Sequence, residues 1–285
     1  MPSSNTALRI KVTIAKDSDR PLVARLCRRA VSKSDYALRI LPTIIKRGGL
    51  FLAWKGDTLV GVTNFDNSVD GSGWLSVART DPDWRGRGVA PFLQRQIAAY
   101  AKRRGVNTLR LWVSSDNKPS LRACEKGGFK QICETVHITR TLRRTKRRRK
   151  ISPSFPSDRQ LTPLLKSKYV AKTRGYIGHR RHFVKLTKNL LAHLRDEGEL
   201  YLSDEVALLV TRPDTFVRAG QSSATILEGP FTRSLLKAQE IAVDMGARTL
   251  SAYIPYDAYQ ISVAKRLGFR RSKWGIHALV FEKRI

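Results

Sequence analysis

The run from Trp74 to Ala90, W-L-S-V-A-R-T-D-P-D-W-R-G-R-G-V-A, carries the residue types best suited to chemistry in this chain. Arg85-Gly86-Arg87-Gly88 lies between a strand-like run, Leu75 to Thr80, and a helical pattern that starts at Val89. The first backbone N–H groups of a helix have no partner within it, and the peptide dipoles add partial positive charge there. Glycines let the backbone approach an anion and reach positive φ. A strand, a glycine turn and a helix start are together a device for holding phosphate. Arg85 and Arg87 add full positive charge beside it. The same four residues also suit an ordinary basic turn, so the elements around them decide between the two readings.

The helical pattern runs from Val89 to Arg104 and stops at Gly105; a strand, Thr108 to Val113, follows. Asn117 then opens a further helix that Gly128-Phe129 closes. The order P-x-x-R-G-x-G-x-A, helix, strand, N-x11-F resembles the core of the GNAT acetyltransferase superfamily. Pro82, Arg85, Gly88 and Ala90 match its acetyl-CoA loop, and the resemblance covers residues 8 to 139. It implies acetyl-CoA as acetyl donor, no metal, and a primary amine as acceptor on a small molecule, a protein N-terminus or a lysine. It also implies that the N–H groups of Arg87, Gly88, Val89 and Ala90 hold the pyrophosphate, with Arg85 and Gly86 in the same loop and Asn117 at the next helix. The pantetheine arm is expected along the open edge of Leu75–Thr80, bonding backbone near Ala78 and Thr80. The Thr80 N–H is the expected donor to the thioester oxygen as it gains charge.

Proton transfer is less legible. Many relatives place a tyrosine seven residues after the helix-starting asparagine to protonate the leaving thiolate; here that position is Cys124. A thiol could donate a proton, but a small buried packing residue is the reading the sequence favours. W-L-x-x-x-R-x-x-P (Trp74, Leu75, Arg79, Pro82) resembles a branch whose third residue is often an acidic base, but here it is Ser76. Asp35, Tyr36, Asp66 and His137 remain as base candidates, and no spacing selects one. His179 and His182 flank Arg180-Arg181 and read as basic surface rather than as a metal site.

The elements that must position these groups follow from hydrophobic period and breakers. Leu8 to Ile14 alternates as a first strand. Asp17-Ser18-Asp19 and Pro21 announce a helix over 19–31, and Ser34-Asp35 a second that ends at Gly48-Gly49 despite Pro42. Leu50–Trp54 and Thr58–Phe65 flank Lys55-Gly56-Asp57 as a hairpin. The last helix and strand of this half are expected at Pro119–Lys126 and Phe129–Thr139. The sum, β-α-α-β-β-β-α-β-α-β, resembles the GNAT topology: an α/β (α+β) fold with a mixed, mostly antiparallel twisted sheet flanked by helices.

The remainder reads as a worn second copy. Leu200-Tyr201-Leu202 parallels Leu50-Phe51-Leu52, Gly246–Leu250 parallels Gly105–Leu109, and Leu267-Gly268-Phe269-Arg270 parallels Gly127-Gly128-Phe129-Lys130. Aligning Gly229 with Gly88 places Glu228 and Pro230 in the phosphate loop, where one repels an anion and the other lacks an N–H. The expected division is an acetyl-CoA-binding domain at 1–139, a basic, proline-containing linker at 140–165, and a degenerate GNAT-like domain at 166–285.

The chain of 285 residues carries 54 Lys and Arg against 23 Asp and Glu, a net charge of +31. That excess favours an anionic partner, with sequence-independent nucleic acid or ribosome contact as the expected form. Arg140–Lys150, with eight basic residues in eleven, is the expected contact arm. An acetyl-CoA-responsive nucleic-acid-binding protein without catalysis is thus the alternative to an N-acetyltransferase. No apolar run reaches membrane-spanning length, and Met1–Ile10 lacks a signal-peptide core. Three cysteines form neither a metal spacing nor a disulfide framework. A cytoplasmic location is expected.

Overall fold

The computed structural model describes residues 10–143, 151–214, 220–271 and 277–285. The first half runs β1 (Lys11–Ile14), α1 (Arg20–Ala30), α2 (Ala37–Lys46), β2 (Leu50–Lys55), β3 (Thr58–Asn67), β4 (Gly73–Thr80), α3 (Val89–Arg103), β5 (Thr108–Ser114), α4 (Lys118–Lys126) and β6 (Lys130–Thr141). The expected order is present. The second half runs α5 (Asp158–Leu161), α6 (Lys168–Lys172), β7 (Tyr176–His179), β8 (His182–Lys185), α7 (Lys188–Asp196), β9 (Leu200–Leu202), β10 (Ala207–Val210), β11 (Gln221–Glu228), α8 (Phe231–Asp244), β12 (Thr249–Pro255), α9 (Ala258–Arg266), β13 (Arg270–Arg271) and β14 (Ala278–Arg284). The order β-β-β-α-β-α-β therefore occurs twice.

Residue pattern explains the helices nearest the site. In α2, Ala37, Ile40, Leu41, Ile44 and Ile45 are buried on one face, at the spacing of a half-buried helix. Pro42 is tolerated because it lies on the exposed face and removes a single intrahelical bond. In α3, Val89, Leu93, Ile97 and Ala101 form the buried stripe. Gly61 lets that stripe seat on the sheet: a Cβ there would lie 2.7 Å from Val89 Cγ1.

The two halves do not pack as two separate sheets. One mixed, mostly antiparallel sheet runs β1-β2-β3-β4-β5-β14-β6-β12-β11-β10-β9. The C-terminal β14 inserts between β5 and β6, pairing along Ala278–Arg284 with β5. In turn β6 pairs along Thr135–Thr141 with β12. Each half's last strand thus hydrogen-bonds to the other half. Among the described residues, only β4–β5 and β11–β12 pair in parallel. α1 and α2 pack on one face with Leu50, Leu52 and Val62, while α3 and α4 pack on the other with Phe51, Val60 and Leu111.

Two expectations need adjustment. The span expected to be linker is partly core: Leu161 and Leu164 are buried with Leu191 and Leu209. Apolar residues interspersed among the prolines and serines hold that segment to the second half. The basic arm falls mostly on residues 144–150, outside the described residues. Among the described residues, no helix is long and apolar enough to cross a membrane.

Candidate functional site

The site begins with a defect in β4. Val62 pairs with Arg79 and Asn64 with Ser76, so two residues of β4 oppose the single Thr63 of β3. This is a β-bulge. Val77, inside it, has φ of 53°, a left-handed conformation that a β-branched residue adopts only under constraint. The bulge bends β4 away from β5, and the two strands pair only at Gly73–Leu109 and Trp74–Arg110. Beyond Trp74 the edge of β4 is open. The Asp81 N–H donates to Val60 O at 3.0 Å, toward β3. By strand alternation the backbone groups of Ala78 and Thr80 face the opposite way, into the gap between β4 and β5. These are the two residues expected to meet a pantetheine arm.

The gap leads to the glycine loop. Gly86 and Gly88 have φ of 75° and 78°, and nothing lies within 4 Å of a Cβ built on either. Gly88 is the N-cap of α3, so the N–H groups of Val89 and Ala90 face an open cradle. Arg85 Nη2 donates to the Ala30 carbonyl at 2.6 Å, which ties the loop to the end of α1. Arg87 lies over the Trp84 ring at 5.1 Å. Asp81 caps the short turn of Pro82–Trp84 through the Asp83 N–H. Open-edge amides, a glycine cradle and a helix N-terminus in line are what an extended thioester ending in a pyrophosphate requires.

On the α1/α2 face, the closed end of the gap carries a polar cluster. Asn64 Nδ2 donates to Asp66 Oδ2 at 2.7 Å and to Ser76 Oγ at 3.2 Å. Burial raises the Asp66 carboxyl above its ordinary range, partly opposed by the Asn64 bond and the Arg47 charge. Asp66 pairs across the strands with Trp74. The Trp74 ring stacks on His182 at 5.2 Å, and His182 Nδ1 is 3.0 Å from Ser68 Oγ. Burial first, then the neighbouring His179 and Arg181, push His182 down to about 3, so it is neutral at physiological pH. The wall over β4 is thus the β7–β8 hairpin of the second half.

A buried ion cluster clamps that hairpin in place. Arg110 donates to Asp70 at 2.5 Å and to Glu282 at 2.8 Å. Asp70 also accepts from the Lys185 N–H at 2.8 Å, and Tyr176 donates to Glu282 at 3.0 Å. Burial alone would raise the Asp70 carboxyl; hydrogen bonds from Ser72, with the Arg110 charge, hold it below its ordinary range instead. His179 and His182 are not the basic surface expected from their neighbours. They face each other across the hairpin, because Arg180 and Arg181 adopt positive φ and form its two-residue turn. His179 then reaches Glu199 at 2.7 Å.

Other sequence candidates are accounted for. Asp35 is buried and holds Arg79 through two hydrogen bonds of 2.8 and 2.9 Å, while Tyr36 lies under the same guanidinium. His137 stacks on Tyr253 at 4.5 Å, away from the β4–β5 gap, on β6 where it pairs with β12. Asn117 caps α4, its side chain accepting from the Ser120 N–H at 3.2 Å. Cys124 is buried in the α3/α4 core, and burial pushes its thiol up to about 12. Cys124→Ala is therefore expected to cost about 1 kcal/mol of stability, the scale of one buried methylene-sized group, and to leave kcat within a few-fold. A melting curve and steady-state rates check this; a hundredfold fall in kcat would make Cys124 the acid instead. The bulge and the β7–β8 wall had no signal in the sequence, beyond the apolar Phe183 and Val184 of the hairpin.

The matching place in the second half is closed. β11 and β12 also diverge after four pairs, Gln221–Thr249 to Ala224–Ala252. There α6 fills the gap: Tyr169 is buried, and its hydroxyl donates to Gly229 O at 3.0 Å. The space left between Tyr169, Thr225, Phe231 and Tyr253 is about 20 Å³, enough for a water. A Cβ on Gly229 would lie 2.3 Å from Glu205 O, where Gly88 meets open space. The N-cap of α8 is Pro230, one residue later than aligning Gly229 with Gly88 would place it. Among the described residues no group of three or more His, Cys, Asp or Glu side chains is placed to hold a metal ion.

This geometry agrees with sequence relationships. The acetyltransferase (GNAT) family matches residues 21–129, which contain the bulged strand, the glycine loop and α3 to α4. The chain is 28% identical over 118 residues to a mycothiol acetyltransferase of Brachybacterium faecium, covering 40% of this chain and 36% of that protein. With a mycothiol acetyltransferase of Geodermatophilus obscurus the identity is 31% over 101 residues, covering 33% of each. The chain thus spans about a third of the length of these relatives. A GCN5-related N-acetyltransferase from Sphaerobacter thermophilus shares the fold over 97% of this chain and 96% of its own, with a TM-score of 0.56 and 15% identity.

Proposed function

We propose that the chain is an acetyl-CoA-dependent N-acetyltransferase with one catalytic centre, in the first half. The observation that carries this reading is the open edge of β4 leading into the Gly86–Gly88 cradle at the α3 N-terminus. The N–H groups of Arg87 to Ala90 hold the pyrophosphate, and Ala78 and Thr80 hold the pantetheine arm. A bound acetyl-CoA supplies an activated acyl carbon. The amide of Thr80, or of Ala78 one step nearer the closed end of the gap, donates to the thioester oxygen as it gains charge.

Asp66 takes the proton of the attacking amine. The amine lone pair bonds to the acyl carbon, the carbon–sulfur bond breaks, and the thiolate is protonated by solvent. A carboxylate raised by burial is a stronger base than an exposed one, and Asp35 is already committed to Arg79. Residues 1–139 form the catalytic domain. Residues 166–285 form a degenerate copy, whose hairpin walls the acceptor side and whose own cofactor gap is filled by Tyr169.

With the best amine of a panel, Asp66→Asn is expected to lower kcat by about a hundredfold or more, the usual scale for a general base. Acetyl-CoA affinity should stay near native. In the native enzyme the rate should rise as pH climbs through the raised Asp66 pKa, because only the ionised carboxylate accepts a proton. That acidic limb should vanish in the variant. Full kcat in Asp66→Asn would remove Asp66 from the mechanism.

A further inference from the structure

Arg47 stands out among the cations around the cluster. It follows the last residue of α2, and two residues later the Gly49 carbonyl accepts from the Phe65 N–H at 2.8 Å. That bond fixes the end of α2 beside Asp66. Arg47 makes no ion pair or hydrogen bond through its side chain among the described residues, and it is exposed. Its neighbours differ: Arg79 is bound to Asp35, Arg110 to Asp70 and Glu282, Arg180 to Glu199, and Arg181 to Asp214. The geometry runs from the end of α2 to the carboxylate: a Cβ on Gly49 would lie 3.0 Å from Asn64 Oδ1, and Asn64 Nδ2 donates to Asp66 at 2.7 Å.

Resting on the acetyltransferase reading above, we propose that the acceptor is a zwitterionic amine: Asp66 receives its amino group and Arg47 its carboxylate or phosphate. The chemistry of the two ends demands one molecule bearing both charges. A guanidinium offers several parallel N–H donors to an anionic oxygen pair. The Asp66 carboxylate takes the ammonium and then its proton. Trp74, opposite Asp66 on β4, and the neutral His182 stacked on it add uncharged surface beside the carboxylate. Long-range electrostatics select in the same direction. A chain of net charge +31 repels a polyamine and draws an anionic molecule toward the opening.

Four matched amines test this. Phosphoethanolamine and β-alanine carry the phosphate and the carboxylate, ethanolamine carries no acid, and putrescine carries a second cation. Steady-state kcat/KM with acetyl-CoA should be at least about tenfold higher for one or both acidic amines than for ethanolamine, the scale of a charge-assisted hydrogen bond. Putrescine should be the poorest. Arg47→Gln should collapse the acid-to-ethanolamine ratio toward one, mainly through KM, and Arg47→Lys should restore part of it. A melting curve confirms that the variants fold. Equal use of ethanolamine or putrescine, or a ratio indifferent to Arg47, overturns the acceptor assignment while leaving acetyl transfer standing. Binding of acetyl-CoA with transfer to none of the four, nor to a peptide N-terminus or lysine, overturns the acetyltransferase reading itself.

Discussion

Removing residues 277–285 is expected to leave a chain that does not fold at room temperature. That segment contains β14, which pairs with β5 on one side and β6 on the other. Val280 and Phe281 are buried, and each contributes about 1.5–3 kcal/mol by leaving water. Glu282 holds Arg110, which is 5% exposed. Stripping a partner from a buried ion pair costs about 3–5 kcal/mol. The total approaches the whole stability of an ordinary domain, about 5–15 kcal/mol. Two hydrogen-bonding edges in mid-sheet would be bared as well. Far-UV circular dichroism and a thermal melt check the outcome. Val280→Asp, a charge in a fully buried position, should fall in the same direction with the chain length intact. Adding the nonapeptide 277–285 in trans should recover part of the fold. A truncated chain with native melting behaviour would mean that the two halves are independent units.

The same strand exchange shows where sequence reading stops. Hydrophobic period, Gly48-Gly49, Lys55-Gly56-Asp57 and Asn117 locate nearly every element of the first half, because those signals are local. Strand order is not local. Nothing in A-L-V-F-E-K-R distinguishes a strand that closes its own half from one inserted between β5 and β6. The glycine loop was legible because only glycine readily takes φ of 75–78° beside an anion. The bulge that opens the gap was not, because Val77 is a poor residue for φ of 53° and is held there by its surroundings. Asp66 stood among four base candidates until burial and hydrogen bonds separated them. Asp35 could be set aside only once its bond to Arg79, 44 residues away, was known.

Gly88→Glu is expected to abolish acetyl-CoA binding, and the native chain to bind one equivalent. Gly88 sits at the N-terminus of α3 with φ of 78° and open space where a side chain would project. A glutamate there occupies the cradle and sets a negative charge against a pyrophosphate, a juxtaposition that costs several kcal/mol. An affinity loss of about a hundredfold or more follows. Backbone strain contributes too, about 1–2 kcal/mol for a non-glycine residue in the left-handed region. Gly88→Ala separates the effects, since it carries the strain without the charge or the bulk; it should keep measurable binding. The stoichiometry tests the second half in the same titration. Its gap holds Tyr169, its loop glycine is packed against Glu205, and Glu228 adds negative charge two residues before the α8 N-cap, where Gly86 stands in the first half. Calorimetry should therefore give one site in the native chain and none in Gly88→Glu. Two sites of similar affinity, or one surviving in the variant, would mean that the second half binds the cofactor despite Tyr169, and the degenerate-copy reading would fall with the one-centre mechanism.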